Sequence, residues 1–355
     1  MPTRWPTGTE LRTLDTGEPY RQDGGVKIRL LSLVMWLGIV SGAAAVPSAA
    51  QPVEPRLQWN ANFGYCGETS FISAGMRFGQ YTSQWTARSL ASPRVPQTRA
   101  SSQLLLGGND LAAARRMKLA TVAFDTGNRD TPAGFLDWVK GRFVRGDAVI
   151  IGVNNNVRIL GEPIPGQIGS YDHIVPVLGI GTSGASDTIT ISNNGLHNVG
   201  RDYPFRYSYR FSDFPLSRRA ANLWGGPIYS LALGSAHYGT AVTGILDPQH
   251  ETVPVRLTSS SNGEGLQNQS RLVSPPAPSR IRLTAHVRIP DVTRSYTVYM
   301  YDRFSKVPTS DFAARAANAV STWTIPAHSG KHWSVTVGAL SSDTRVFRAV
   351  RTAIS

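Results

Sequence analysis

Apolar residues recur at helical spacing in three stretches and at strand spacing through most of the remaining chain. Cys66 to Phe78 carries Phe71, Ile72, Ala74 and Met76 and predicts a helix that starts at or just before Cys66. Leu111 to Leu119 predicts a second, with Asn109 and Asp110 ahead of it as capping residues. Thr131 to Arg142 predicts a third. Thr131 can cap it, Pro132 suits its first position, and Phe135, Leu136, Trp138 and Val139 form its apolar face. Short apolar runs then read as strands: Asp147 to Val153, Ile174 to Ile180 and, after a turn at Gly181 to Asp187, Thr188 to Ser192. Tyr203 to Tyr209 alternates aromatic and polar residues, and Trp224 to Leu233 makes one more strand. Residues 51–58 read as an extended lead-in, Asn62 and Gly64 as a turn, and 85–100 as turn-rich, with Pro93 and Pro96.

Helices followed by strands define an α+β body. From about Ala236 the texture changes. Val253 to Leu257, Ile281 to Ile289, Ser295 to Tyr301, His332 to Val337 and Thr344 to Val350 all read as strands. Loops at 259–265 and 274–279 separate them, and a helix-like, alanine-rich piece at 311–320 interrupts them. A β-sandwich fits this part. The expected organisation is an N-terminal extension with a signal peptide at 1–50, an α+β domain at 51–235 and a C-terminal β-sandwich at 236–355.

The first fifty residues carry the signature of export. Lys27 and Arg29 precede an apolar run from Leu30 to Val40, followed by small residues from Ser41 to Ala50. That run is short for a membrane span. The stretch from Met1 to Gly25 is polar, and Val26 is an alternative point of initiation. The expected location is secreted, at the cell surface or periplasmic.

The formal charge is +13 over 355 residues, with 41% apolar and 17% charged residues. The arginines are scattered, with no basic run, zinc finger or basic helix, so specific nucleic-acid binding is not expected. An acidic surface polymer or cell wall is a partner such a surface would favour. A monomer is expected.

Export permits disulfides, yet the chain has one cysteine, Cys66, and forms none within itself. A thiol becomes a nucleophile when an imidazolium or a helix N-terminus lowers its pKa. Cys66 opens a predicted helix, and His173 opens a strand about a hundred residues later. As base, His173 takes the thiol proton and returns it to a leaving amine. An acceptor must then fix its ring. Asn193, at the end of the next strand, supplies a side-chain carbonyl, with Asn194 as the neighbouring candidate. Only one of the two should face His173, because successive strand residues face opposite ways. The oxyanion needs donors. The Cys66 N–H is one, Asn60 supplies the other through its side chain, and Asn62 has a weaker claim. Gly67 leaves room for a substrate backbone beside the sulfur.

Cys66-Gly67 followed by a helix, Asp172-His173-Ile174-Val175-Pro176-Val177-Leu178-Gly179, and Ile191-Ser192-Asn193-Asn194-Gly195 together resemble the papain-like cysteine peptidases, including their C39-like branch. The resemblance covers roughly residues 57–230. It implies a helical half packed against an antiparallel sheet half. It also implies Cys66 as nucleophile, His173 as base, Asn193 as orienting residue and Asn60 in the place of the oxyanion glutamine. The implied activity is hydrolysis of peptide bonds in a peptide or protein substrate, with no metal or organic cofactor. A cell-wall amidase or transpeptidase of the same fold, and an inactive papain-fold binding protein, are the alternatives. Glu68 stands where papain carries serine, and a carboxylate there raises the thiol's pKa. The tryptophan that follows the family asparagine is replaced by Gly195-Leu196.

Other residues carry weaker signals. His173 and His197 lack the neighbours of a metal site. Residues Gly161 to Gly166 form a turn-rich loop that can line a cleft. Trp59 and Tyr65 flank the nucleophile as packing residues or apolar subsites.

Overall fold

The computed structural model describes residues 53–124, 131–155, 171–181, 187–196, 206–212, 214, 229–231, 238–263 and 271–352, and the backbone of 49–50. In chain order, the first part contains β1 (Ala49–Ala50), α1 (Cys66–Arg77), β2 (Gln80–Tyr81), α2 (Gln84–Ala91), α3 (Asp110–Arg116), β3 (Leu119–Ala123) and α4 (Pro132–Val144). The strands β4 (Ala148–Asn155), β5 (His173–Gly181), β6 (Thr188–Ser192), β7 (Arg206–Arg210), β8 (Tyr229–Leu231) and β9 (Gly239–Ile245) follow. The last part is β10 (Thr252–Val253), β11 (Val255–Ser259), β12 (Arg280–Arg288), β13 (Tyr296–Tyr301), β14 (Ser321–Ile325), β15 (His332–Leu340) and β16 (Arg345–Arg351). The architecture is α+β, with three antiparallel sheets.

The largest sheet has the order β3-β9-β4-β5-β6-β7, with β1 added to β5 and β8 to β4. Its two faces bury different cores, as strand alternation requires. Val149, Ile151, Val153, Val175 and Val177 meet Phe135, Leu136, Val139 and Phe143 of α4. Ile150, Ile174, Leu178 and Val242 belong to a second core with α1. Helix α1 is buried from Cys66 to Met76. Glu68 in its first turn and Arg77 in its last complement the helix dipole.

The C-terminal strands form a sheet ordered β10-β16-β13-β14, which β2 joins through β16, and a sheet ordered β11-β12-β15. Leu257, Leu283, Ala285 and Val287 of one sheet and Val298, Phe347 and Ala349 of the other lie in the same core as α1. The first and last parts of the chain therefore share apolar packing. Strand β9 pairs with β3 and β4, so the large sheet runs past the expected boundary at 235 to Ile245.

The predicted strands and helices are largely present, with informative departures. The segment read as turn-rich holds α2, because Ser83 accepts the Thr86 N–H as an N-cap and Pro93 comes only after the helix has closed. Helix α3 ends at Arg116 rather than 119. Lys118 adopts a left-handed backbone, and Leu119 starts β3. Asn109 holds the N-cap position, but its side chain makes no cap and instead accepts the Leu105 N–H. Thr131 caps α4 as predicted by accepting the Gly134 N–H at 3.0 Å. The strand expected at 253–257 is split at Pro254, which lacks the N–H a continuous ladder needs; β10 and β11 join different sheets. Within 311–320 only a single 3-10 turn forms, at Ala316–Asn318, without a buried face. The segment expected to be a signal peptide, up to residue 48, the Gly161–Gly166 loop and His197 lie outside the described residues.

Candidate functional site

Residues 57–65 form a strap that delivers Cys66 to the start of α1. The strap is tied down at its N-terminal end. Leu57 N donates to Asn262 O at 2.8 Å and Gln58 N to Asn194 O at 2.9 Å. Its turn is made by Asn62, Phe63 and Gly64, three successive residues with positive φ. Asn62 is locked to Leu272, accepting its N–H at 2.9 Å and donating to its carbonyl at 2.8 Å. That arrangement removes Asn62 from the oxyanion role. Trp59 and Tyr65 are fully buried and pack edge to face at 5.1 Å, so they are core residues rather than subsites.

Cys66 keeps 7% of its surface. Burial first, and then the Glu68 carboxylate, push the thiol up to about 12, against the lowering by the main-chain N–H groups of Ile174 and Gly67 and by Arg88. The expectation of a lowered pKa is thus reversed: loss of solvent outweighs the helix N-terminus. Glu68 is held by Arg88 in a fully buried pair at 2.6 Å, and the same oxygen accepts the Leu104 N–H at 3.0 Å. Arg88 also donates to the carbonyls of Asn62 and Gly64 and stacks on the Tyr65 ring, its Cζ 3.5 Å from the centroid. This network fixes the strap and α2 against α1.

Gly67 has a different cause from the one expected. A Cβ there would stand 2.1 Å from the Leu104 carbonyl oxygen, so the main chain at 104 requires glycine, not an approaching substrate.

His173 is completely buried at the first position of β5. Its Nε2 meets the main-chain oxygen of Asn193 at 2.9 Å. Its ring lies 5.9 Å from that of Tyr229, tilted at 32°. Ile174 turns toward α1, close to Gly67, whereas His173 shares the register of Val175 and Val177. Cys66 thus shares a core with Ile174 on one face of β5, whereas the His173 ring lies with Tyr229, Val175 and Val177 on the other, so the structure does not bring the expected nucleophile and base to the same face.

The two asparagines divide the work differently from expectation. The Asn193 side-chain oxygen accepts the Gly195 N–H at 2.9 Å, closing its own turn. It is the Asn193 main-chain carbonyl, not the carboxamide, that holds His173. Asn194, left-handed at φ 54°, sends its amide nitrogen to Cys66 O at 3.3 Å, Ser70 Oγ at 3.1 Å and Ile174 O at 3.0 Å. Asn194 therefore bridges α1 and β5. Asn60 is half-buried, and its Oδ1 accepts Gln58 Nε2 at 3.1 Å. That bond orients the carboxamide and turns Nδ2 away from Gln58.

Sequence reasoning missed Gln58, Ser70 and Arg88. Ser70 and Arg88 act through partners distant in the chain, which no local spacing reports, whereas the Gln58 side chain meets Asn60 two residues on. Among the described residues, no group of three His, Cys, Asp or Glu is placed to hold a metal ion, and no helix is long and apolar enough to cross a membrane. No protein-family model matches the chain, and no curated protein matches it.

Proposed function

We propose that the chain is an exported, papain-like cysteine peptidase with a helical half and a sheet half, in which Cys66 is the nucleophile and His173 the base once a rearrangement at the start of β5 brings them together, followed by a β-sandwich. His173 Nδ1 takes the thiol proton and the sulfur attacks the scissile carbonyl carbon. The oxyanion is received by the Cys66 N–H and Asn60 Nδ2. His173 then protonates the leaving amine, which leaves a thioester. Water, deprotonated by His173, hydrolyses the thioester and restores the thiol. The observation that supports this reading best is the convergence on one turn. Asn193 O holds the imidazole, Asn194 Nδ2 holds the Cys66 and Ile174 carbonyls, and Asn194 O holds the strap that carries Asn60.

The test is turnover of a peptide library together with labelling by a vinyl sulfone. Cys66→Ser and His173→Ala should abolish both while circular dichroism is unchanged. Asn60→Ala should cost about 10²-fold in kcat. Wall fragments and amine acceptors assayed alongside separate a peptidase from an amidase or transpeptidase.

The thiol pushed up to about 12 favours a second reading, a papain-fold protein that binds without catalysis. Absence of vinyl sulfone labelling, with and without substrate, supports it over the first.

A further inference from the structure

A cleft of about 1340 Å³ opens at the C-terminal end of α1, between the β9–β10 connection and strands β11, β12, β15 and β16. Arg77, Arg256, Arg288 and Arg348 line it with three histidines, and Asp247 is its one carboxylate. Asp247 is already committed: its oxygens accept the Glu251 N–H, the Thr252 N–H and the Thr252 hydroxyl. The wall is therefore cationic.

Arg348 is 2% exposed. Its Nη atoms donate to the carbonyls of Phe78 and Phe347 and to Gln80 Oε1. Its Nε is buried without a hydrogen-bond partner, and no carboxylate among the described residues forms an ion pair with it. Arg256 likewise has a buried Nε without a partner, although its Nη2 meets Glu54 at 3.0 Å. Arg77 lies near Arg256, and its pKa is lowered by burial and then by that neighbouring charge. A buried cation that lacks a counter-charge is costly, and an anion in the cleft would offset the cost.

We propose that this cleft binds an anionic glycan, with the arginines on its acidic groups and Trp333 under a sugar ring. Size points to a chain: small-molecule sites span about 300–1,000 Å³, and this cleft exceeds that. Chemistry points to sugar over peptide. Of the strands lining the cleft, β9, β12 and β16 are paired on both edges, whereas β11 and β15 are the outer strands of their sheet, so an acidic peptide is the rival occupant that the experiment must separate. The preference for sugar rests on the half-buried Trp333, which supplies the flat apolar face a sugar ring needs. The cleft contains none of Cys66, His173 and Asn193, so it stands or falls apart from the peptidase reading.

The experiment is calorimetric titration of the full chain with oligogalacturonate, neutral dextran and poly-L-glutamate, repeated at raised salt. Oligogalacturonate should bind, dextran should not, and affinity should fall with salt. Arg256→Gln/Arg288→Gln should weaken binding at least about tenfold, since each charged hydrogen bond contributes about 1.5–3 kcal/mol and 1.4 kcal/mol is tenfold. Trp333→Ala should weaken it with the salt slope unchanged. Arg315→Gln, exposed and outside the cleft, and Cys66→Ser should bind as wild type. Failure of oligogalacturonate to bind, equal binding by the double variant, or tighter binding of poly-L-glutamate would overturn the assignment. The last outcome would make the cleft an acidic-peptide site.

Discussion

The main-chain carbonyl of Asn193 holds Nε2 of His173 at 2.9 Å, while the Asn193 carboxamide is turned to the Gly195 N–H. Backbone atoms do not change with the side chain. Asn193→Ala should therefore keep the imidazole oriented and lose less than about tenfold in labelling or turnover; a side-chain orienter would give a far larger loss, since fixing the base's tautomer is a large effect in hydrolase triads. Asn194→Ala should be worse, because it frees the carbonyls of Cys66 and Ile174 and leaves a non-glycine residue at positive φ. Asn194→Gly separates these causes by relieving the backbone alone. Urea denaturation should show about 1–3 kcal/mol lost in Asn194→Gly from the missing hydrogen bonds. Equal behaviour of Asn193→Ala and Asn194→Gly in both assays would refute this division of labour.

The thiol titrates in the direction set by its burial. Its folded pKa, pushed up to about 12, lies above the unfolded value near 8.5. For an acid raised in this way the folded state keeps the proton longer. The stabilisation is complete below pH about 8.5 and disappears as pH rises toward 12. Melting temperature should fall more steeply above pH 8.5 in the wild type than in Cys66→Ala. Alkylation by iodoacetamide in the free protein should stay slow through neutral pH. Parallel melting curves for the two proteins, or rapid alkylation at pH 7, would contradict the assignment.

How much was legible follows from how each feature is encoded. The strand at 188–192, the Thr131 cap and the start of α1 at Cys66 are local patterns, and the chain prints them within a few residues. The main-chain link from Asn193 to His173 is invisible in a string of side chains, because any residue at 193 carries that carbonyl. The cause of Gly67 is equally hidden, since its neighbour is the backbone of Leu104. The split at Pro254 had a visible signal in the proline itself, and the Ser83 cap of α2 was masked by Pro93 and Pro96 downstream. The raised thiol follows from the whole fold closing over Cys66, which no spacing rule measures.

The Glu68–Arg88 pair couples stability to the thiol. Both groups are buried, so removing one leaves an uncompensated charge or an empty set of donors. Glu68→Gln should lose roughly 3–5 kcal/mol. It should also lower the thiol's pKa, because the carboxylate is the second cause of its elevation after burial. Removing both partners in Glu68→Gln/Arg88→Met should recover much of the lost stability. A double-mutant cycle in urea measures the coupling, and alkylation rate against pH measures the thiol. Additive losses in the cycle would show that the two side chains act independently.

Gly67 offers the sharpest contrast between a substrate-facing glycine and a packed one. A methyl group at this position would stand 2.1 Å from the Leu104 carbonyl oxygen and 3.2 Å from Ile174 Cδ1. The nearer contact is backbone and cannot rotate away. Either the 103–106 segment moves, or α1 withdraws from β5 and takes Cys66 with it. Gly67→Ala should cost more than about 2 kcal/mol, beyond the usual gain from alanine in a helix. The check is urea denaturation combined with hydrogen exchange at the Leu104 amide, which now donates to Glu68. Reduced protection at Leu104 together with lost stability would mark the packing role. Unchanged stability with impaired substrate binding would return Gly67 to the substrate-facing role expected from its place after the cysteine.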